Sequence, residues 1–263
     1  MRSPGFACLG AVFLAALLCP PAAADIVTID DVPSYGQSPF GFEGYPTGFP
    51  GCAPTAGGMV IGYWDAHGYD DLITGSNSWT GNRAGVEAMI GSEGHYDDYW
   101  GEDADPPHHA NNCVADFMAT SRDPKPDGAT SENNVHYGMV EYTKYRGYAD
   151  ANGWYALHGG LWDLFVTEID AGRPMAFAVD TGGDGEANHA VAAFGYDDTA
   201  GAERYYYYDP NDVGTEHDAA FQPVGQAMGV SSGAWFNPIP EPATLTLLAA
   251  GLGAMLARRR SRR

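Results

Sequence analysis

Basic residues are scarce in this chain. It has 13 Lys and Arg against 34 Asp and Glu, and six of the basic residues lie within the first two or the last six positions. Residues 25–238 retain 7 basic and 33 acidic residues, which gives this region a formal charge of about −26. Nucleic-acid-binding proteins present basic patches to phosphates, so this composition excludes that class. An acidic surface favours solubility and can attract cations.

Two familiar site signatures are incomplete. Residues 229–233 fit the Gly-x-Ser-x-Gly pattern, but no histidine follows His217. Serine hydrolases with this pattern need a histidine after the serine, so we interpret the run as a loop or strand. The segment from His95 to His109 is rich in acidic residues and histidines but lacks zinc-motif spacing. We therefore interpret that segment as a solvated loop.

The spacing of a calcium-binding EF-hand is also missing. Asp180, Asp184 and Glu186 lie in a glycine-rich loop just before His189, but without that spacing. A structural calcium ion in this loop would position the histidine and is kept as a hypothesis. No other cofactor and no catalytic metal are predicted.

The N-terminal segment has the features of an export signal. Arg2 precedes an apolar run over residues 6–18, and small residues follow at 22–24. This order is typical of a secretory signal peptide cleaved after Ala24. We therefore predict three parts of the chain: a signal peptide at 1–24, a single folded domain at 25–238 and a terminal segment at 239–263.

The C-terminal segment has a different pattern. Pro240-Glu241-Pro242 precedes 15 mostly apolar residues at 243–257, and an arginine cluster follows. A full membrane span needs ~20 residues, and positive charge after a short span stays on the cytoplasmic side. The triplet, the run and the cluster together resemble the PEP-CTERM sorting signal of Gram-negative bacteria. The resemblance implies export, a transient membrane anchor and removal by an exosortase-type enzyme; an ordinary anchor is the alternative.

The spacing of apolar residues predicts helices first and strands later. Residues 54–67 have helical periodicity, with Pro54 in the first turn and Gly68 after the last. This segregated order predicts an α+β fold in one domain. The other predicted elements are helices within 112–118, 135–142 and 161–169, and strands at 26–29, 175–179, 189–196 and 204–208.

Cys52 lies just before the helix predicted from Pro54. Unpaired N–H groups at a helix N-terminus favour a thiolate and can stabilise an oxyanion. One alternative is a small buried residue without chemistry. Another is a disulfide with Cys113, the other cysteine outside the signal peptide, because such pairs often form in an oxidising compartment.

A predicted hairpin brings a histidine and a carboxylate together. If residues 189–196 pair with 204–211, paired positions sum to about 400, and Asp209 lies diagonally beside His189, ~7–8 Å away between backbones. If the numbers of paired residues sum to 398, His189 and Asp209 lie directly opposite each other. A register shift of one residue places their side chains on opposite faces of the sheet. The carboxylate would orient the imidazole and stabilise its charged form. A strand-end histidine and a turn residue before Pro210 are the alternatives.

Four short runs together resemble the C39-like peptidases, which have a papain-like fold: Gly51-Cys52-Ala53-Pro54-Thr55-Ala56, Asn188-His189-Ala190-Val191, Gly195-Tyr196-Asp197-Asp198 and Tyr208-Asp209-Pro210. The resemblance implies a nucleophile at a helix start, followed by an antiparallel sheet that carries the histidine and the aspartate. It assigns Cys52 as nucleophile, His189 as general base and acid, and Asp209 as the orienting group. The family also uses an upstream glutamine as oxyanion donor, and Gln37 is the only glutamine between residues 25 and 52.

These observations predict an exported cysteine hydrolase, a peptidase that cleaves amide bonds in peptides or proteins. Two alternatives keep the same fold. One is a catalytically silent surface module that binds peptide or glycan. The other is an amidase or acyltransferase that uses the same three residues.

Overall fold

The computed structural model describes residues 25–37, 50–95, 109–121 and 128–238. Its centre is an antiparallel sheet in the order β2-β7-β3-β4-β5-β6, and β1 pairs with β4 outside this path. The strands are β1 (Ile26–Thr28), β2 (Asn152–Leu157), β3 (Met175–Asp180), β4 (His189–Asp197), β5 (Arg204–Tyr208), β6 (Glu216–Ala220) and β7 (Gly229–Asn237).

Helices cover both faces of this sheet. The helices are α1 (Cys52–Ala66), α2 (Arg83–Ile90), α3 (Val114–Phe117), α4 (Glu132–Tyr145) and α5 (Leu161–Asp170). The predicted α+β class is confirmed, and the mixed architecture is consistent with a papain-like fold. The predicted strand at 26–29 is present as β1, and the order is less segregated than predicted because β2 lies between α4 and α5.

The first helix lies at the centre of the core. Twelve of its 15 residues are buried, because it packs on the sheet and on α2, α3 and α4. Two adjacent glycines in this helix, Gly57 and Gly58, are close to side chains of neighbouring segments. A Cβ at Gly57 would lie 2.7 Å from the Met118 side chain, and one at Gly58 would lie 2.7 Å from the Ile90 side chain. The glycines therefore make room for side chains of neighbouring helical segments.

The two faces of the sheet differ in the size of their side chains. Ala176, Ala190 and Ala192 pack in the cluster that contains α1, whereas Phe177 and Val191 pack in the cluster that contains α5. Successive residues of a strand point to opposite faces, so this alternation follows from the sequence. Small residues under α1 let the helix approach closely and bring its N-terminus beside the start of β4.

The register of the hairpin between β4 and β5 agrees with the prediction. Ala192 pairs with Tyr208 and Ala193 with Tyr207, so paired positions sum to 400 near the start of β4. A bulge between Ala193 and Gly195 changes the sum to 401 toward the turn. The bulge lies away from the end that carries the predicted histidine and aspartate, so their diagonal relation is kept.

The predicted signal peptide at 1–24 and the tail at 239–263 lie outside the described residues, and their boundaries stay predictions. In the part of the chain that the structure describes, no helix is both long and apolar enough to cross a membrane.

Candidate functional site

The N-terminus of α1 presents Cys52 to a pocket. The helix begins at Cys52, two residues earlier than predicted, with Gly51 as its N-cap and without a side-chain cap. The first N–H groups of a helix have no partner within it. Pro54 has no N–H, and the N–H of Thr55 donates to the Gly51 carbonyl at 3.4 Å. The thiol therefore lies beside the uncapped N–H groups of Cys52 and Ala53, where a negative charge is favoured.

Gly51 is required by the backbone at this point. Its φ of 103° lies in the left-handed region that favours glycine. A Cβ there would lie 2.3 Å from the carbonyl oxygen of Gly128. The segment at Gly128 therefore passes directly against the start of α1 and forms one wall of the pocket.

His189 and Asp209 form a hydrogen-bonded pair. The Nε2 of His189 lies 2.8 Å from Oδ1 of Asp209, and the two side chains are 8% and 21% exposed. The same Asp209 oxygen accepts the backbone N–H of Asn211 at 2.8 Å. The carboxylate is thus fixed from two sides and holds the ring at the start of β4.

The electrostatics of this pair favour a charged imidazole. Burial lowers the pKa of His189, but hydrogen bonds with Asp209 and Cys52 and the charges of both outweigh it and raise the pKa to about 9. Burial raises the pKa of Asp209, yet the hydrogen bonds from His189 and from the Asn211 N–H hold this pKa below its ordinary value. Because Nε2 faces Asp209, the other ring nitrogen, Nδ1, is left for the thiol.

Gln37 lies at the same site. Its backbone N–H donates to the Pro210 carbonyl at 3.0 Å, and its Nε2 donates to Oδ1 of Asn211 at 2.5 Å. Its Oε1 is buried without a hydrogen-bond partner among the described residues. Gln37, Cys52 and His189 line one pocket of about 330 Å³. The structure therefore brings all four predicted site residues together, although the Gln37 amide N–H is engaged with Asn211.

The pocket also contains polar residues that were not predicted, among them Glu132 and Asn188. Glu132, the first residue of α4, and Asn188, next to the histidine, both line it. Asn188 belongs to one of the four runs that resemble the C39-like peptidases, but the sequence did not indicate a function for it. Glu132 lies next to a segment without apolar periodicity, so no sequence signal singled it out.

The loop before β4 is organised by a buried carboxylate. Asp180 Oδ1 accepts the N–H groups of Gly183 and Asp184, and Oδ2 accepts those of Gly185 and Gly225, at 2.6–3.2 Å. These backbone hydrogen bonds, that of Gly225 first, lower the pKa of Asp180 to about 2. Each carboxylate oxygen has about two acceptor sites, so all four are occupied.

This arrangement bears on the calcium hypothesis. Asp180 holds the loop directly through the backbone and has no acceptor site left for a cation. Asp184 Oδ1 accepts the N–H of Glu186 at 3.1 Å. Asp184 and Glu186 are exposed, and calcium binding in this loop stays a prediction.

The segment predicted as a solvated loop between His95 and His109 is buried at its first residue and half-buried at its last. His95 is 2% exposed, so the interpretation is wrong at this residue. Asp116 accepts hydrogen bonds from His95 Nδ1 at 2.7 Å and from the N–H of Asn112 at 2.9 Å, and its Oδ2 lies 3.2 Å from His109 Nε2. Residues 96–108 lie outside the described residues.

The disulfide alternative is not realised. Cys52 and Cys113 are both free thiols. Cys113 is completely buried beside Asp116, and burial raises the pKa of its thiol well above the ordinary value. Cys52 is therefore available for chemistry, whereas Cys113 is shielded from it.

Comparisons with known families match two parts of the chain. The Peptidase_C39 like family matches residues 29–227, and the PEP-CTERM protein-sorting motif matches residues 238–263. The first range contains all four predicted site residues. The second implies export to the cell envelope of a Gram-negative bacterium and recognition by an exosortase-type enzyme. Neither a curated protein nor a solved structure matches the chain.

Proposed function

The chain belongs to the Peptidase_C39 like family, and on this basis we propose that it is an exported cysteine peptidase that acts through Cys52, His189 and Asp209. One observation carries the proposal. The hydrogen-bonded pair of His189 and Asp209 lies in contact with a cysteine at an uncapped helix N-terminus, in a pocket that admits a ligand.

The residues support a two-step hydrolysis. Nδ1 of His189 takes the proton of the Cys52 thiol, and the thiolate attacks the carbonyl carbon of an amide. The carbonyl electrons move to the oxygen, and the Cys52 N–H stabilises this oxyanion. When the C–N bond breaks, His189 gives its proton to the leaving amine, and a thioester remains. His189 then removes a proton from water, which attacks the thioester and releases the acid.

Gln37 can donate to the oxyanion if the side-chain amides of Gln37 and Asn211 both rotate by about 180°, which exchanges their oxygen and nitrogen atoms. Asn211 Nδ2 lies 3.4 Å from Nε2 of His189, whose proton is directed at Asp209, so two donors face each other. A turned Asn211 places its oxygen toward this ring and its NH₂ toward Gln37. Gln37 then accepts through Oε1, which has no hydrogen-bond partner among the described residues, and its NH₂ is released from Asn211 to serve as a donor. We assign this arrangement to the active form.

Hydrolysis of a library of internally quenched peptides tests the proposal. We expect turnover by the purified protein and none by Cys52→Ala, with Cys113→Ala as the matched cysteine control that keeps activity. The rate should fall above pH about 9, because His189 then loses the proton that the leaving amine needs.

The products separate the alternatives. Acyl transfer to added hydroxylamine in preference to water would identify an acyltransferase. Peptide binding without any acyl-enzyme on Cys52 would contradict the peptidase and identify the silent binding module.

We also propose that the tail at 239–263 is a transient anchor that an exosortase-type enzyme removes. The match to the sorting motif over residues 238–263 supports this. Mass spectrometry of the protein from its natural host should find a C-terminus before the arginine cluster. An intact C-terminal Arg263 in the mature protein would indicate an ordinary anchor.

A further inference from the structure

Two small side chains from neighbouring strands, Ala178 and Ala190, line the pocket, and their row continues to Ser232 on a third strand. Ala178 of β3 pairs directly with Ala190 of β4 on one side and with Ser232 of β7 on the other. Directly paired residues share a face of the sheet. Neighbouring strands lie about 4.8 Å apart, so the row extends roughly 10 Å from Ala190, next to His189, to Ser232.

An acidic side chain closes the far end of this row. The hydroxyl of Ser232, which is 4% exposed, donates to Oε2 of Glu132 at 2.5 Å. Glu132 is half-buried and lines the pocket at the first residue of α4. The buried hydroxyl fixes the carboxylate in place and leaves its second oxygen, Oε1, to a ligand.

Within the described residues, no Lys or Arg lines this pocket, and no basic side chain pairs with Glu132. Val135 adds an apolar wall one turn further along α4. The pocket therefore combines a row of small side chains, an apolar wall and a fixed carboxylate at its end. A long side chain with an apolar stem and a cationic head matches these three features.

We propose that Glu132 forms a specificity subsite for an arginine or lysine side chain of the substrate. The inference rests on the proposed function and specifies its substrate class. A substrate residue close to the scissile bond lies over Ala190, its stem follows the row past Ala178, and its cationic head reaches Glu132. The acidic surface of residues 25–238 adds a long-range attraction for such peptides.

Peptide binding to a Cys52→Ser variant tests the subsite without turnover. In a series of peptides, a single Arg is moved through every position of a neutral background, and citrulline, its uncharged isostere, replaces it in the matched partner. We expect one position at which Arg binds roughly fivefold tighter than citrulline or more, as for a partly exposed ion pair.

When Glu132→Gln is added to the Cys52→Ser variant, the ratio of the citrulline Kd to the Arg Kd should fall close to one. The glutamine oxygen still accepts the Ser232 hydroxyl, so an unchanged Tm will show that the fold is kept. Glu141→Gln removes the same charge from the same helix outside the pocket, where Glu141 pairs with Lys144 at 2.8 Å. This control should keep the full preference for Arg.

Three results would overturn the subsite: no binding by any peptide, no position that distinguishes Arg from citrulline, or a preference that survives in Glu132→Gln. Alkylation of Cys52 by iodoacetamide in the unmutated protein reports separately on the proposed function. An activated thiol without an Arg preference would contradict the proposed subsite but support the proposed peptidase function. An unactivated thiol with an Arg preference would support the proposed subsite but contradict the proposed catalytic function.

Discussion

Replacement of His189 by alanine should slow alkylation of Cys52 at pH 6 by roughly 100-fold. Iodoacetamide reacts with the thiolate, and a neighbouring imidazolium favours this charged form of a cysteine, whereas alanine offers no charge to stabilise it. The pKa of His189 of about 9 keeps the ring charged at pH 6, where it stabilises the thiolate. The measurement is the second-order rate with iodoacetamide, with the labelled cysteine located by peptide mapping.

Two internal controls belong to this experiment. Cys113 is buried and should react slowly in both proteins. His67→Ala removes an exposed histidine from the opposite end of the same helix and should leave the rate at Cys52 unchanged. Equal rates at pH 6 in the unmutated protein and in His189→Ala would show that the histidine does not activate the thiol.

Replacement of Asp180 by asparagine should lower the Tm by roughly 5–10 °C, because an amide has one acceptor oxygen where the carboxylate has two. Two of the four backbone N–H groups that Asp180 satisfies would then face an NH₂ group. The loop that leads into His189 would rearrange, so labelling of Cys52 should slow as well. Thermal unfolding followed by circular dichroism measures the first effect.

The pH dependence of stability provides a second readout. The folded pKa of Asp180, about 2, lies below its ordinary value of 3.8. Its stabilisation is therefore complete above pH ~4 and is lost as the pH falls toward 2. The asparagine variant should lack this part of the acid transition. Asp184→Asn, an exposed loop carboxylate with one backbone hydrogen bond, is the matched control, and a similar loss of Tm there would refute the special role of Asp180.

The alternation of residues along two strands was sufficient to predict the part of the site that one hairpin forms, the pair of His189 and Asp209. The pairing predicted between residues 189–196 and 204–211 agrees with the observed register to within one bulge, so the approach of Asp209 to His189 could be predicted. The start of α1 was missed by two residues. Pro54 is favourable in a first turn but does not specify where in that turn it lies, and the contact of Gly51 with Gly128 decides it.

Contacts between distant segments could not be derived in the same way. Only the family resemblance indicated Gln37, because its hydrogen bonds to the segment at Pro210 depend on the tertiary fold. Glu132 depends on Ser232, one hundred positions away in β7. Pairing of this kind follows from the order of strands in the sheet, which propensities do not encode.

The separation of Cys52 from its partners has a consequence for the life of the chain before it folds. The thiol belongs to a helix near the start of the domain, whereas His189 and Asp209 belong to strands that are synthesised much later. A chain that crosses the inner membrane unfolded carries an ordinary, unactivated cysteine during the whole passage. Under the proposed mechanism, Cys52 becomes an activated nucleophile only when β4 and β5 have joined the sheet. Under the proposed function, Cys52 can therefore act only in the compartment in which the domain folds.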